Sequence, residues 1–281
     1  MVCQNIFYFT NEEKQILFKT LNKIEYDPEG SDEYIHSLKI AMINHLPKRI
    51  MLELNKQKVS IRPRPYIIIK NSPTDKKVFF SPDPDIYTPS AKSGNISEIF
   101  LTGIASLIGE PYSIQFEGKE IVNNLIPKLE SKREYTGIGF DVELDFYIEN
   151  AALKHFSKIN VSPTGLLLSG IRKDPKSPLT RISNARISIK ELSKEDINTL
   201  SNKLYKIKLP YRWRISNSPE YEETPLVSII SKDHEYPDIS AIFYPRMIKS
   251  SSTRAENALK NFYKLIQKNS IAIDISLGDL A

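Results

Sequence analysis

The stretch "ELDFYIENAALKHF", Glu143 to Phe156, decides how this chain is read. Residues 143–149 alternate in the period-two manner of a strand, which sets Tyr147 and Glu149 on one face. The small residues Ala151 and Ala152 then break the pattern. A carboxylate at the end of a strand, two residues after another polar side chain on the same face, is an arrangement suited to gripping a metal ion. An imidazole would serve that purpose best at the earlier position, and this chain has a phenol there.

Composition narrows the setting. The chain has 281 residues, 40% of them hydrophobic and 26% charged, enough to bury a substantial core without disorder across the bulk. No apolar run approaches the ~20 residues that span a bilayer, and "MVCQNIFYFTNEEKQ" lacks the basic start of a signal peptide. Cys3 is the only cysteine, so neither an internal disulfide framework nor a cysteine-based metal cluster is available. These features point to a cytoplasmic protein with no membrane partner. Net charge is +5 and the isoelectric point about 9.0. The basic residues are dispersed. "KREY" (Lys132 to Tyr135) and "YRWR" (Tyr211 to Arg214) do interleave bases with aromatics, and a basic nucleic-acid-associated protein is a third reading behind the two below. A solvated lysine-rich surface is the simpler account, and nucleic acid is not expected as a partner.

Helices are expected over Asn11 to Leu21, over Ile35 to Leu54 with an interruption at Pro47, and over Ser252 to Asn269. A further helix follows Asn95, with Asn95 and Glu98 in capping-box spacing, and stops at Gly109. "SKEDINTLSNKL" carries a similar start at Ser193 and Asp196. Strands are expected at Arg64 to Asn71, on both sides of Gly118, and over Val142 to Glu149 and Thr164 to Arg172. "ARISI" (Ala185 to Ile189), Pro225 to Ser231, Asp238 to Tyr244 and the final "SIAIDISL" complete the set. Ser72 to Asn95 reads as a long surface connection. The class is α+β, with no composition shift that demands a domain boundary.

Phosphate loops, dinucleotide fingerprints and the Gly-x-Ser-x-Gly elbow are absent. The four histidines, His36, His45, His155 and His234, show no His-x-x-x-His spacing, and each taken singly suits a surface or packing role. Trp213 and the fourteen tyrosines suit packing as well.

A family emerges when several stretches are read in order: "RPYIIIKNSP", "ISEIFLTGIASLIGEPYSIQFEGKEIVNNLIPKLE", "ELDFYIENAALKHF", "SPTGLLLSGIRKDPKSPLTRISNAR", "DISAIFYPRMIKSSSTRAENALKNFYKLI" and "ISLGDLA". The series, over roughly residues 60 to 281, resembles the clavaminate synthase-like branch of the taurine dioxygenase superfamily of iron(II)/2-oxoglutarate-dependent oxygenases. That branch includes amino-acid hydroxylases. The resemblance implies one domain over residues 1–281, a distorted double-stranded β-helix (jelly roll) with flanking helices. It implies hydroxylation of an amino acid or related small molecule, with Fe(II) and 2-oxoglutarate as cofactors.

In that family a histidine and a carboxylate two residues later hold the iron with a distant second histidine, leaving positions for cosubstrate and oxygen. On this register Glu149 takes the carboxylate position and Tyr147 the position of the first histidine. Thr180 lines up with a threonine that contacts 2-oxoglutarate. Gly278 and Asp279 match the turn that precedes the second histidine and a cosubstrate-binding arginine, and the sequence reaches Ala281 before either. The last strands of the barrel, the distal histidine and the arginine are therefore expected to be missing. No catalytic residue is assigned. Asp145, His155 and His234 are possible substitutes as ligands, and Arg172 is a possible partner for Glu149 in a site without metal. The competing reading is a non-catalytic relative that does not bind iron, in which Tyr147 packs or hydrogen-bonds and Glu149 finds a cation or amide. The substrate and the oligomeric state are not legible.

Overall fold

A computed structural model describes residues 5–61, 63–78, 92–113, 118–137, 139–149, 151–156, 162–172, 179–209, 222–233 and 235–281. Cys3, Ile114 to Glu117, "YRWR" and His234 lie outside the described residues. The chain divides into two compact units that each draw on separated segments: Met1–Ile126 with Leu167–Leu179 and Asp274–Ala281, and Pro127–Leu166 with Thr180–Ile273.

The first unit is built on helices α1 (Asn11–Leu21), α2 (Asp32–His45), α3 (Lys48–Val59) and α4 (Ile96–Ile108). Helix α1 starts on a capping box: Glu13 N–H donates to the Thr10 hydroxyl and Thr10 N–H to the Glu13 carboxylate. Pro47 separates α2 from α3, as its spacing predicts, because proline cannot supply an interior helix N–H. Leu17, Leu21, Leu38, Met42, Ile50, Phe100 and Ile104 form the centre of the core. Gly103 lets α2 come close to α4, since a Cβ there would lie 2.9 Å from Met42 Cγ.

The start of α4 differs from its sequence signature. Asn95 makes no capping bond. The Asp75 carboxylate accepts from Ile96 N–H at 2.9 Å and Ser97 N–H at 3.3 Å instead, and the Glu98 carboxylate takes Lys92 at 2.7 Å. Asp75 and Ser72 are buried, so the described ends of the segment from Ser72 to Asn95 are anchored and not a surface connection. Strands β3 (Lys77–Val78) and β4 (Lys92–Ser93) pair antiparallel to bring Lys92 to this cap.

Strands β1 (Ile6–Tyr8) and β2 (Ile68–Lys70) run parallel, with Ile6 opposite Ile68. The far edge of β2 is bonded by the last residues: Ile69 and Leu280 exchange both backbone hydrogen bonds, at 2.7 and 2.8 Å. Residues 168–170 bond the other side of residues 278–281, with Leu168 and Ala281 exchanging bonds at 2.8 and 2.9 Å. Gly278, at φ 79°, makes the turn, and Asp279 fixes it by accepting from Ser276 N–H and Lys70 Nζ. Residues 119–126 form no strand, and Ile121 N–H bonds back to Pro28 O.

The second unit packs α5 (Ala185–Glu191), α6 (Lys194–Ser201) and α7 (Thr253–Lys268) on short strands. These are β5 (Thr180–Ser183), β6 (Tyr205–Ile207), β7 (Ile230–Ser231), β8 (Asp238–Ile239), β9 (Ile248–Ser250) and β10 (Ser270–Ile273). They pair antiparallel as β5–β10, β6–β9 and β7–β8. Helix α7 buries Ala255, Ala258, Phe262 and Ile266, a three- and four-residue spacing that lays one stripe on the core. "ARISI" is helix and not strand. The Asn184 side chain accepts from Arg186 N–H and opens a helical turn, and Ser188 and Ile189 are buried.

Candidate functional site: a tyrosine cluster beside Glu149

The sequence-chosen residues fall in the second unit, on a stretch too short to form a long ladder. Ile148 N–H donates to Ala241 O at 3.0 Å, and Phe243 N–H donates to Phe146 O at 2.8 Å. This pairing sets Tyr147 opposite Ile242 and fixes the register of both chains. Phe146 turns to the core, as alternation demands, and Tyr147 keeps 42% of its surface open.

Three tyrosines gather there. The rings of Tyr147 and Tyr244 have centroids 5.4 Å apart at 58°, and Tyr135 stacks on Tyr244 at 5.2 Å and 22°. Such contacts add to simple burial through the ring quadrupoles. The Tyr147 hydroxyl donates a hydrogen bond to the Glu149 carboxylate and accepts one from Tyr244. Burial, then the negative charge of Glu149, then the bond to it, push the Tyr147 phenol above its ordinary pKa. At Tyr244 burial again leads, followed by Tyr147 and Glu149. Both are neutral phenols through the physiological range.

The proposed substitutes for the absent imidazole are committed elsewhere. Asp145 accepts from Phe146 N–H through one oxygen and from the Tyr263 hydroxyl through the other, which ties the strand to α7. His155 lies 3.3 Å from the Ser240 hydroxyl and lines an open cleft of about 240 Å³ with Lys203 and residues 225–228. Burial and the charge of Lys154 hold its pKa down, so it is neutral. His36 and His45 sit at exposed positions on α2. Thr180 opens β5, exposed and opposite Ile273, and makes no side-chain hydrogen bond among the described residues. Tyr135, read from the sequence only as the aromatic of "KREY", and Tyr244, read only as the end of an expected strand, carried no signal for this site.

The fit to ferrous iron can be judged on donors. Iron of this type takes imidazole and carboxylate, and a neutral phenol with a raised pKa is a poor donor to a ferrous ion. No group of three histidine, cysteine, aspartate or glutamate side chains able to hold a metal exists among the described residues. Among the described residues, Glu149 and Tyr147 thus offer one carboxylate and one neutral phenol, a donor pair that does not suit ferrous iron.

No family model matches the sequence, and no curated protein does. Solved structures match in fold. Asparagine oxygenase in complex with Fe(II), 2S,3S-3-hydroxyasparagine and succinate superposes with a TM-score of 0.80 at 16% identity, over 98% of this chain and 83% of that one. The non-heme iron oxygenase OrfP with Fe, succinate and (3S)-hydroxy-L-Arg gives 0.77 at 19%, again over 98% and 83%. OrfP with Fe and alpha-ketoglutaric acid gives 0.75 at 18% over the same shares. This chain has the fold of those iron oxygenases.

Proposed function

We propose that residues 1–281 form one domain of the clavaminate synthase-like iron(II)/2-oxoglutarate oxygenase family, a distorted double-stranded β-helix, working in the cytoplasm on an amino acid or close relative. The observation that supports this reading is the fold match over 98% of the chain to enzymes solved with hydroxylated amino acids and with succinate. In that family the reaction is hydroxylation of a substrate C–H bond coupled to decarboxylation of 2-oxoglutarate to succinate, and the bound iron supplies the oxidising chemistry. Thr180 is the residue proposed to meet 2-oxoglutarate. A working enzyme would need iron donors beyond the described residues, where His234 is the one imidazole.

A second reading, a relative that binds its ligand without oxidising it, is favoured by one observation: Tyr147 packs on Tyr244 and turns its hydroxyl to Glu149. Binding tests what the two readings share. The folded chain is screened by calorimetry against the amino acids, their hydroxylated derivatives and 2-oxoglutarate. Saturable binding of an amino acid or derivative is the expected result, and its absence across the panel would count against both. Succinate release with Fe(II), 2-oxoglutarate and the bound compound then separates them.

A further inference from the structure

We infer that Tyr147 is a metal-excluding residue: its phenol stands in place of a ligand beside Glu149, so the site is built to be occupied by protein and not by a divalent cation. The inference rests on the fold reading above, which supplies the register, but its physical content is local to this chain. Three observations carry it. The backbone pairing of residues 146–148 with residues 241–243 fixes where the Tyr147 side chain leaves the strand. Tyr244 packs against that ring at 5.4 Å and is itself covered by Tyr135 at 5.2 Å, so the phenol is seated in a stack. Finally, two other candidate ligands among the described residues are engaged elsewhere, Asp145 by Tyr263 and His155 by Ser240.

The consequence is specific. A divalent ion approaching Glu149 would have to displace the Tyr147 hydroxyl and would gain only a neutral phenol in return. A Tyr147→Phe change does not create a site, because it adds no donor. A Tyr147→His change does, because it sets an imidazole where the phenol now faces the Glu149 carboxylate, so that both reach the same ion.

The test uses Mn(II) as an air-stable probe of the full chain, with free ion followed by its electron paramagnetic resonance signal. Wild type is expected to show no saturable site below millimolar Mn(II). Tyr147→His is expected to bind at least about tenfold more tightly, as changes at single metal-site positions commonly do. Adding Glu149→Ala to that variant is expected to remove the gain. One-to-one binding by wild type that Glu149→Ala abolishes would overturn the inference. So would a folded Tyr147→His protein with no gain. If circular dichroism shows that Tyr147→His fails to fold, the wild-type and Glu149→Ala titrations decide alone. No organic ligand is present, so an empty amino-acid screen removes the functional reading and leaves this one, and metal binding does the reverse.

Discussion

The Tyr147 hydroxyl faces the carboxylate of Glu149, two residues further on in the turn after the bridge at Tyr147, and the Tyr244 ring packs on Tyr147. The stacking is expected to contribute more to stability than that hydrogen bond does. Tyr147→Phe keeps the ring and is expected to cost under about 1 kcal/mol. Tyr147→Ala removes a ring that is 42% exposed and should cost more, while Tyr244→Ala, at 9% exposed, should cost the most, about 3–5 kcal/mol. Urea unfolding of the three variants checks the order. A Phe variant as damaging as either Ala variant would show that the hydroxyl contacts dominate.

Asp75 and α4 supply a second test. The Asp75 side chain is fully buried, bonds the first two N–H groups of the helix, takes the Ser97 hydroxyl at 2.8 Å and pairs with Lys92 at 3.0 Å. Asp75→Ala removes a helix cap and leaves Ser97 short of a partner, although Lys92 retains Glu98 and the Gly94 carbonyl. The expected loss is about 2–4 kcal/mol. Asn95→Ala should change stability by less than about 0.5 kcal/mol, because Asn95 makes no capping bond. Denaturation midpoints that reverse this order would restore Asn95 as the cap.

That contrast shows where the sequence was legible. Helix α6 carries its own start signal, so Ser193 with Asp196 could be read as a cap from local spacing alone. At α4 the cap comes from a residue about twenty positions upstream, which no local pattern reveals. "ARISI" alternates like a strand, yet five residues cannot separate a strand from a buried helical turn once Asn184 supplies a cap. The strands are two to four residues long, so their pairing depends on tertiary contacts and not on alternation. Around the site, Tyr147 and Glu149 could be found because they are two residues apart, although the strand expected over Val142 to Glu149 is only a bridge at Tyr147 followed by a turn at Glu149. Tyr135 and Tyr244 could not, because stacking joins distant segments and leaves no spacing to read.

Acid should weaken the first unit through Glu13. The Arg49 guanidinium, foremost by hydrogen bonding, holds this carboxyl at about 2, below its ordinary 4.5. A depressed folded pKa stabilises at pH values above the unfolded one, and the contribution fades as pH falls from about 4.5 towards 2. The pair is part-exposed, with Glu13 at 27% and Arg49 at 50% of side-chain surface, so about 1–2 kcal/mol remains after screening. Glu13→Gln should remove that part of the acid dependence between pH 5 and pH 2. A variant whose stability falls over this range as steeply as wild type would dissociate Glu13 from it.

Alkali should act on the second unit through Tyr205. The residue is fully buried, its hydroxyl donates to Ala255 O at 3.1 Å, and burial raises its pKa from 10 to about 12. The unfolded chain gives up this proton near pH 10 and the folded chain holds it to about pH 12. Between those values the unfolded state binds fewer protons, so stability falls as pH rises. Tyr205→Phe keeps the ring in the core, loses one hydrogen bond and removes the titrating group. At pH 7 the variant should be about 1 kcal/mol less stable than wild type, because the Ala255 carbonyl loses a donor. Above pH 10 the difference should shrink, since wild type alone carries the ionisation penalty at this position. Urea midpoints at pH 7 and pH 11 measure it directly. A gap that stays constant with pH would mean that Tyr205 ionises alike in both states, contrary to its burial beneath α7.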